Sequence, residues 1–355
     1  MNVLKKTTSL EHKRHWRLWV TVLTLALLGA IVVSLNIGYS SISFESIFKT
    51  FFNKLSFGGQ PYFQVSDIES TLIFDVRLPR ILCAALVGAG LSISGVVYQG
   101  LFRNPLADPY TIGASAGAAL GATASIVLGI SFSILGFTTL PLFAFIGCIS
   151  AVFLVYSISR VGNKVPVQTL LLSGIAVSIF LSAIVSYLQT ISPEKLHQSQ
   201  FWLMGSFSYT EWTDIWSVII FIAGGGAAIY LYSRDLNLLA LGEDEARHLG
   251  VDLERVKKVL LVSSAFVTAA AVSISGLIAF IGLIIPHLTR LLVGPDHRVL
   301  IPSSMLMGST FLILCDSAAR VLVAPAELPV GIITAMCGGP FFLYLMRRKK
   351  KFDVS

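Results

Sequence analysis

Charged residues are scarce in this chain. Asp, Glu, Lys and Arg make up 13% of its 355 residues, whereas hydrophobic residues make up 55% and the mean hydropathy is +0.79. A soluble domain carries about 25% charged residues, so the composition excludes a soluble globular protein. Only helices and closed barrels satisfy every backbone group in lipid, and these apolar runs are long and do not alternate. The sequence therefore predicts an all-α polytopic membrane protein.

Cysteine is rare as well. Four cysteines lie within apolar runs, and their spacing matches neither a disulfide framework nor a metal site: Cys83, Cys148, Cys315 and Cys337. We interpret them as small core residues and expect no bound metal. The basic N-terminus precedes a long first apolar run without a clear cleavage site, so we expect an uncleaved first span.

A phosphate-binding loop is also missing. The pattern G-x-x-x-x-G-K-[ST] does not occur in the sequence, so the chain cannot cradle ATP in this way. If the chain works with ATP, then ATP and Mg²⁺ bind to another polypeptide, and we expect neither enzymatic activity nor a cofactor on this one. Carboxylates are equally scarce within the spans, where Asp316 alone lies deep.

What the chain does contain is ten apolar segments, most of them near the 20 or so residues that cross a bilayer. They lie at about 17–36, 80–101, 110–130, 138–159, 167–190, 214–232, 256–276, 278–293, 300–323 and 329–346. The eighth is short. Basic residues give the orientation, since they concentrate on the cytoplasmic side. With the N-terminus inside, 20 of the 26 lysines and arginines fall in inner segments, so both termini are predicted to be cytoplasmic. The net charge of +7 then indicates topology and not nucleic-acid binding.

A single transmembrane domain over residues 1–355 accounts for this pattern. Its polar parts are a cytoplasmic tail at 1–16, a long outer segment at 37–76, an inner segment at 233–255 and a basic cytoplasmic tail at 347–355. The inner segment predicts two short helices, separated by Gly242 and ended at Gly250. Ser-Ile-Ser-Gly occurs at 92–95 and at 273–276 in oppositely directed spans, from either chance or an inverted repeat of spans 2–5 and 7–10.

Three arginines lie on the predicted outer side, where basic residues are few. Arg77 and Arg80 flank Pro79 before the second span, and Arg320 ends the ninth span, four residues after Asp316. One interpretation is an outward basic patch that receives an acidic partner. The alternatives are neutralisation of the first pair by Asp75 or by lipid headgroups, and an intrahelical ion pair between Asp316 and Arg320.

Glycines mark other spans. Gly113, Gly117 and Gly121 recur every four residues, which favours close helix packing. Gly338, Gly339 and Pro340 predict a helix break at depth, which is tolerated where the backbone faces protein or water. The stretch 113–117 also matches G-x-S-x-G. A hydrolase would need a strand before Ser115 and a histidine such as His287, so we rank this interpretation last.

Taken together, the motifs resemble the permease subunit of FecCD-type ABC importers, which take up iron–siderophore complexes, haem and cobalamin. The matching stretches run from residue 77 to about 345: Arg77-Leu-Pro-Arg80, Gln99–Pro109, Gly113–Gly117, Trp202–Ser206, Ala246–Gly250, Gly276–Arg290, Asp296–Leu300, Asp316–Arg320 and Glu327–Phe341. The resemblance implies a multi-pass protein of a prokaryotic cell membrane. It also implies a second permease copy or paralogue, two ATPase subunits and an extracytoplasmic solute-binding protein as partners, besides membrane lipid.

The resemblance also implies residue roles. The outward arginines Arg77, Arg80 and Arg320 would dock the binding protein. The coupling helices correspond to 236–252, where Leu241, Gly242, Ala246, Leu249 and Gly250 would contact the ATPase. The fifth and tenth spans would line the path, with a gate near Val167, Gln168 and Gly174 and with Gly338, Gly339 and Pro340 on the tenth span. Val167 departs from the small polar residues of related members.

We therefore predict the permease subunit of an ATP-driven importer for an iron chelate, either a siderophore or haem. The same machinery importing cobalamin is the alternative. A secondary transporter that uses Asp316, and an intramembrane hydrolase that uses Ser115, are ranked below both.

Overall fold

The computed structural model describes residues 2–38, 42–55, 62–134, 137–162 and 165–352. Over these ranges the chain forms α1 (Asn2–Asn36), α2 (Phe44–Leu55), α3 (Asp67–Thr71), α4 (Leu78–Leu101), α5 (Ala114–Leu128), α6 (Thr139–Ser159), α7 (Val167–Ile191), α8 (Leu196–Leu203), α9 (Trp212–Leu231), α10 (Ser233–Leu239), α11 (Glu243–His248), α12 (Leu253–Ser275), α13 (Ile281–Val293), α14 (His297–Val321) and α15 (Val330–Phe352). Short 3₁₀ turns lie at Pro109–Ile112 and Pro193–Lys195, and a π-helical turn lies at Leu72–Arg77. Strands β1 (Ser133–Ile134) and β2 (Phe137–Thr138) pair antiparallel in a small hairpin.

The prediction of an all-α polytopic membrane protein is confirmed. Among the described residues, seven helical stretches are long and apolar enough to cross a membrane, and three shorter apolar helices lie at Ala114–Leu128, Ile281–Val293 and Val330–Tyr344. These ten match the ten predicted segments in order. The sidedness of the termini stays a prediction, and we name the two ends of the bundle inner and outer after it.

The helix that contains α4 lies at the centre of the bundle. In its most apolar stretch 83% of the residues are buried, compared with 22% in α7. The helix begins at Asp67, well before the predicted start at residue 80, because a π-helical turn joins α3 to α4 without a break. Pro79 therefore lies inside a longer helix, two residues beyond the wide turn that ends at Arg77.

Glycines bring the backbone of α4 against its neighbours. A Cβ on Gly88 would collide with the carbonyl oxygen of Gly308 in α14, and one on Gly95 would collide with that of Gly282 in α13. Such close approach increases van der Waals contact where lipid offers no hydrophobic driving force between helices.

The small-residue seam of α5 faces α6. A Cβ on Gly117 would strike the backbone of Gly147, and one on Gly121 would strike the carbonyl of Phe143. Gly113 differs from the other two members of the predicted seam, because it has φ +85° and begins α5 after a 3₁₀ turn. Its conformation, and not a close helix contact, requires glycine there.

Between α12 and α13 the backbone leaves the helical form. Gly276 and Phe280 have φ of 68° and 72°, and α13 has only 13 residues, about 20 Å of helix. The Tyr110 hydroxyl accepts a hydrogen bond from the Ile278 amide (3.2 Å) and donates one to the Ile278 carbonyl (3.1 Å). Gln99 Nε2 donates to a further carbonyl, at Leu283 (3.0 Å). Side chains from earlier in the chain thus form hydrogen bonds with backbone groups that lipid could not satisfy.

Several boundaries differ from the predictions. Helix α1 already begins at Asn2, so residues 2–16 of the predicted tail are helical and continuous with the first span. Residues 39–41 and 56–61 of the outer segment, and residues 353–355 of the basic tail, lie outside the described residues. The break predicted at Gly338, Gly339 and Pro340 is wrong, since α15 runs through them as one helix.

The two Ser-Ile-Ser-Gly stretches adopt different conformations. Gly95 lies within α4, whereas Gly276 ends α12 with a positive φ. The inverted repeat stays a prediction. Among the cysteines, Cys83, Cys148 and Cys315 are buried and Cys337 is exposed, and all four are free thiols. No group of three metal-ligating side chains occurs within the described ranges.

The α5–α6 seam predicts a specific sensitivity. Gly121→Val should lower the stability of the purified protein by about 1–3 kcal/mol, because the side chain would strike the α6 backbone. Gly29→Val is the matched control, since a Cβ at Gly29 in α1 meets nothing within 4 Å. Thermal unfolding in detergent measures both variants. An equal fall in Tm for the two would contradict the packing assignment.

Candidate docking and coupling sites

At the outer end, Arg80 lies in a buried network of charges. Its Nε donates to Asp316 Oδ1 and Oδ2 at 3.1 and 3.0 Å, its Nη2 donates to Oδ1 at 2.9 Å, and its Nη1 donates to Glu327 Oε2 at 2.8 Å. Arg80 is 6% exposed and Asp316 1%. Multiple charge-assisted bonds of this kind are the strong ones, and here they join α4, α14 and the connection after α14.

Arg320 extends this network to α1. Its Nε lies 3.3 Å from Asp316 Oδ2, one turn earlier in α14, and its Nη1 donates to the Ile37 carbonyl at 2.9 Å. Its Nη2 also contacts the hydroxyl groups of Ser34 and Ser317. Asp316, the deep carboxylate of the ninth span, therefore has two guanidinium partners.

Arg77 binds the same end of α1. Its Nη1 donates to the carbonyls of Leu35 and Asn36. The last carbonyls of a helix have no partner within the helix and carry partial negative charge, so arginines are favourable there. Together, Arg77 and Arg320 cap the C-terminus of α1.

These contacts correct the expectation of an open basic patch. Arg77, Arg80 and Arg320 are each 6% exposed and buried. The counterions of Arg80 are Asp316 and Glu327, and Asp316 also pairs with Arg320, whereas Asp75, the nearest candidate along the chain, is exposed. Docking by the three arginines stays a prediction, and it now requires that at least one of them become accessible.

Glu327 is the member that sequence reasoning missed. Its side chain is 38% exposed, and besides Arg80 it accepts a hydrogen bond from Ser208 Oγ at 2.9 Å. Burial raises the pKa of the Glu327 carboxyl, but the hydrogen bond and charge of Arg80 outweigh burial and leave the pKa below its usual value. The carboxylate is therefore ionised at neutral pH. Its place beside the motif Leu-Pro-Val-Gly was the available signal.

At the inner end, two glycines shape the segment 233–255. Gly242 has φ 137° between α10 and α11, and Gly250 has φ 87° after α11. The amide of Gly250 bonds to the carbonyl of Arg247, and that of Val251 bonds to the carbonyl of Ala246, both at 3.0 Å. This paired pattern is the Schellman motif, which needs a left-handed residue. The predicted two-helix form is confirmed, and the coupling role stays a prediction.

The segment 233–255, which we name the coupling segment after its predicted role, has exposed apolar side chains. Leu241 is 63% exposed and Leu249 is 60% exposed, whereas Ala246 is fully buried against the bundle. Lys257 Nζ lies 2.8 Å from Glu243 Oε2, which links α11 to α12. Exposed leucines at the end of a membrane bundle, next to charged groups, suit contact with another protein surface.

The predicted path residues are spread over two helices. Val167 and Gln168 begin α7, with Val167 half-buried and Gln168 exposed. Gly174 is buried against the carbonyl of Thr111 in the turn before α5. These positions are near one another along α7, but Gly174 serves helix packing in this structure.

On α15 the three residues face different surroundings. A Cβ on Gly338 would collide with the Phe280 ring, whereas Gly339 has open space. Pro340 is exposed within the helix. Phe280, held at a positive φ, thus takes the volume that a side chain at residue 338 would occupy.

The hydrolase interpretation fails on local geometry. Ser115 lies in the first turn of α5, and a 3₁₀ turn at Pro109–Ile112 precedes it. The nucleophile of a G-x-S-x-G elbow needs a strand before it, which is not the structure of this segment.

Comparison with known proteins identifies the family of the chain. The profile of the FecCD transport family matches residues 25–348, which is nearly the whole chain. The chain belongs to the FecCD transport family. The predicted resemblance is confirmed, and this FecCD protein is a multi-pass permease subunit of an ABC importer in the cell membrane, and not an enzyme.

Individual relatives agree over most of their length. The cobalamin import system permease protein BtuC of Halobacterium salinarum is 46% identical over 288 residues, covering 81% of this chain and 76% of that protein. The hemin transport system permease protein HmuU of Yersinia pestis is 39% identical over 337 residues, covering 94% and 97%. A solved structure described as an inward-facing ABC transporter assigned to the metal-chelate type is 38% identical, with a TM-score of 0.78 over 93% of this chain and 98% of that one. Permeases of this family work with ATPase and binding-protein partners.

The buried network predicts a large effect of neutralising its centre. Asp316→Asn should lower stability by about 3–5 kcal/mol, because it leaves two guanidinium groups buried without a full counterion. Asp75→Asn, at an exposed position one turn before Arg80, is the matched control. Chemical unfolding in lipid–detergent mixtures measures both. If the two variants were equally stable, the network would not be a structural joint.

Proposed function

We propose that this FecCD permease forms one half of the membrane path of an ATP-driven importer for an iron chelate, either a siderophore or haem. Its partners are a second permease copy or a paralogue, two ATPase subunits that bind ATP and Mg²⁺, and one extracytoplasmic binding protein. The observation that supports this arrangement is the division of the bundle, with a network of charges at one end and exposed leucines at the other.

The path is proposed to lie between the two permease copies. Six large apolar side chains of α7 are more than half exposed at helical spacing: Leu172, Ile175, Ile179, Phe180, Tyr187 and Ile191. α7 has the face of a helix that meets lipid or another subunit, and α15 likewise exposes Met336 and Leu343. These helices are the proposed lining, with the gate near Val167 and Gln168.

Coupling is proposed to use the inner segment. Leu241 comes just before α11 and Leu249 just after it, both are exposed, and Gly242 and Gly250 flank α11 with positive φ. Insertion of two leucines into clefts of an ATPase buries apolar area worth about 1.5–3 kcal/mol for each side chain. Closure of the ATPase pair then displaces α10 and α11.

Docking is proposed to use the outer network by exchange of carboxylates. Arg80 binds both Asp316 and Glu327, whereas Arg320 shares only Asp316 with it. Glu327 is the exposed member of the network, so an acidic side chain of a binding protein competes with it for Arg80. The exchange leaves buried Asp316 between Arg80 and Arg320, so the helices stay joined.

Secondary transport has less support. A proton- or sodium-driven mechanism needs a carboxylate that can release its counterion within the membrane, and Asp316 is held by both Arg80 and Arg320. Cobalamin stays the second substrate candidate, since the cobalamin permease of H. salinarum is 46% identical to this chain.

Carboxylate exchange predicts that removal of Glu327 strengthens docking. Glu327→Gln should tighten the Kd of the reconstituted complex for its binding protein about five-fold, equivalent to about 1 kcal/mol, because Arg80 loses an internal competitor. Glu194→Gln, at an exposed position in the outer connection before α8, is the control. Binding measured at low and high salt separates the effect from general charge. An unchanged Kd for Glu327→Gln would contradict docking at Arg80.

The proposed coupling role predicts that a substitution at the inner end separates ATP hydrolysis from uptake. Leu241→Ala should lower substrate uptake per ATP hydrolysed by about ten-fold, whereas Leu18→Ala, 60% exposed on α1, should not change it. Proteoliposomes with the ATPase and binding protein, supplied in parallel with a ferric siderophore, haem or cobalamin, report both coupling and substrate. Uptake by the permease alone would overturn ATP-driven import, and uptake of cobalamin only would decide against an iron chelate.

A further inference from the structure

The first turn of α14 is built around Asp296 and His297. The Asp296 carboxylate accepts a hydrogen bond from the Arg298 amide at 3.0 Å, as an N-cap residue does, and also binds the Arg298 guanidinium. Hydrogen bonding and charge from Arg298 keep the pKa of Asp296 low, at about 2. The carboxylate is therefore a fixed acceptor at this end of α14.

Asn237 of α10 joins this turn by three contacts. Its Oδ1 accepts from the His297 amide at 2.9 Å and lies 2.7 Å from His297 Nδ1, while its Nδ2 donates to Asp296 Oδ1 at 2.9 Å. The amide can be assigned in one way only, because the backbone N–H can only donate and the carboxylate can only accept. Aspartate would lack the donor, and alanine would lack both groups.

The surroundings make this contact stiff. His297 is 4% exposed, and Leu236 and Leu239 on the buried face of α10 are 0% and 3% exposed. Gly100, at the end of α4, leaves just enough room for Leu236 and His297, since a Cβ there would lie 3.0 and 3.1 Å from their side chains. α10 therefore cannot slide along α14 without breaking the Asn237 contacts.

α14 leads from this junction to the outer network. Its 25 residues, about 37 Å of helix, carry His297 at one end and Asp316 and Arg320 near the other. The second link from the coupling segment, between Glu243 and Lys257, is weaker because the Glu243 side chain is 39% exposed.

We infer that Asn237 is the positioning residue that transmits displacement of the coupling segment to α14, and through α14 to the arginine network at the outer end. The inference rests on the proposed coupling role of 233–255 and adds the residue and the helix that carry the motion. A signal from the ATPase thus reaches the docking end along one continuous helix, α14, and docking reaches the ATPase by the same route.

An exchange of side chains tests this contact. Asn237→Asp places two carboxylates together, and the double variant Asn237→Asp/Asp296→Asn restores a donor–acceptor pair in the opposite sense. Asn104→Asp is the matched control, because Asn104 is exposed in the inner turn after α4 and its side chain accepts a hydrogen bond from the Leu106 amide. Each is assembled with its ATPase in proteoliposomes, and ATP hydrolysis is measured with and without loaded binding protein.

We expect Asn237→Asp to lower the ratio of stimulated to basal hydrolysis at least five-fold, and the double variant to recover it to within two-fold of the wild type. Asn104→Asp should keep the wild-type ratio. Tm of each complex is measured alongside. A role limited to helix capping would lower Tm and both rates in parallel and leave the ratio unchanged, and that result would overturn the inference.

Two further outcomes are decisive. Recovery of Tm in the double variant without recovery of the ratio would also overturn it. Leu241→Ala is measured in the same assay. If Leu241→Ala lowers the ratio of stimulated to basal hydrolysis while Asn237→Asp does not, the proposed coupling segment stands and the route through Asn237 is wrong. If neither variant changes the ratio, the coupling segment itself is wrongly assigned.

Discussion

The outer half of this permease depends on one carboxylate. Asp316 lies between Arg80 and Arg320, so α1, α4 and α14 share a single electrostatic joint. Burying guanidinium groups in a membrane protein is costly unless they are paired, and the pairing here also supplies ligands for the carbonyls that end α1. A cluster that serves three helices at once cannot lose one member without affecting the others. The exposed surface that a partner could contact is therefore joined through this network to the buried core of the bundle.

The inner half has a different construction. Two glycines and a capped turn give the coupling segment a fixed shape, and apolar side chains project from it. Hydrogen bonds of Asn237 and a buried α10 face connect the segment to the bundle. α14 links the ion-pair network around Asp316 at the outer end to the hydrogen bonds of Asn237 at the inner end. This arrangement suits a protein that must move as a few stiff bodies.

Hydropathy was enough to predict the ten helices, because the bilayer requires long apolar runs, and Gly242 and Gly250 were enough to predict the shape of the coupling segment. The ion-pair partners of the arginines could not be predicted in the same way. The nearest carboxylate to Arg80 along the chain is Asp75, but its partners are Asp316, 236 positions away, and Glu327. Such pairing is decided by which helices pack together, and one sequence carries no direct signal of that.

The same limit explains α15. Gly338, Gly339 and Pro340 have the composition of a break, yet Gly338 is small because Phe280 packs against it. A glycine in the sequence shows that a side chain is absent at that position, but it does not show which neighbouring residue packs there. The short α13 was predictable from the length of its apolar run. The hydrogen bond of the Tyr110 hydroxyl with the Ile278 amide, just before α13, was not.

The interrupted backbone at 276–280 has a consequence for biogenesis. Tyr110 bonds to Ile278 in this segment, Gln99 bonds to Leu283 just beyond it, and the Trp202–Ser206 stretch packs beside Gly276; all of them precede the segment along the chain. A ribosome therefore delivers the groups that satisfy this backbone before the segment that needs them. When this segment leaves the translocon, the side chain that pairs with the Ile278 amide and carbonyl has already been made, so these groups need not wait in lipid for a partner still to be synthesised.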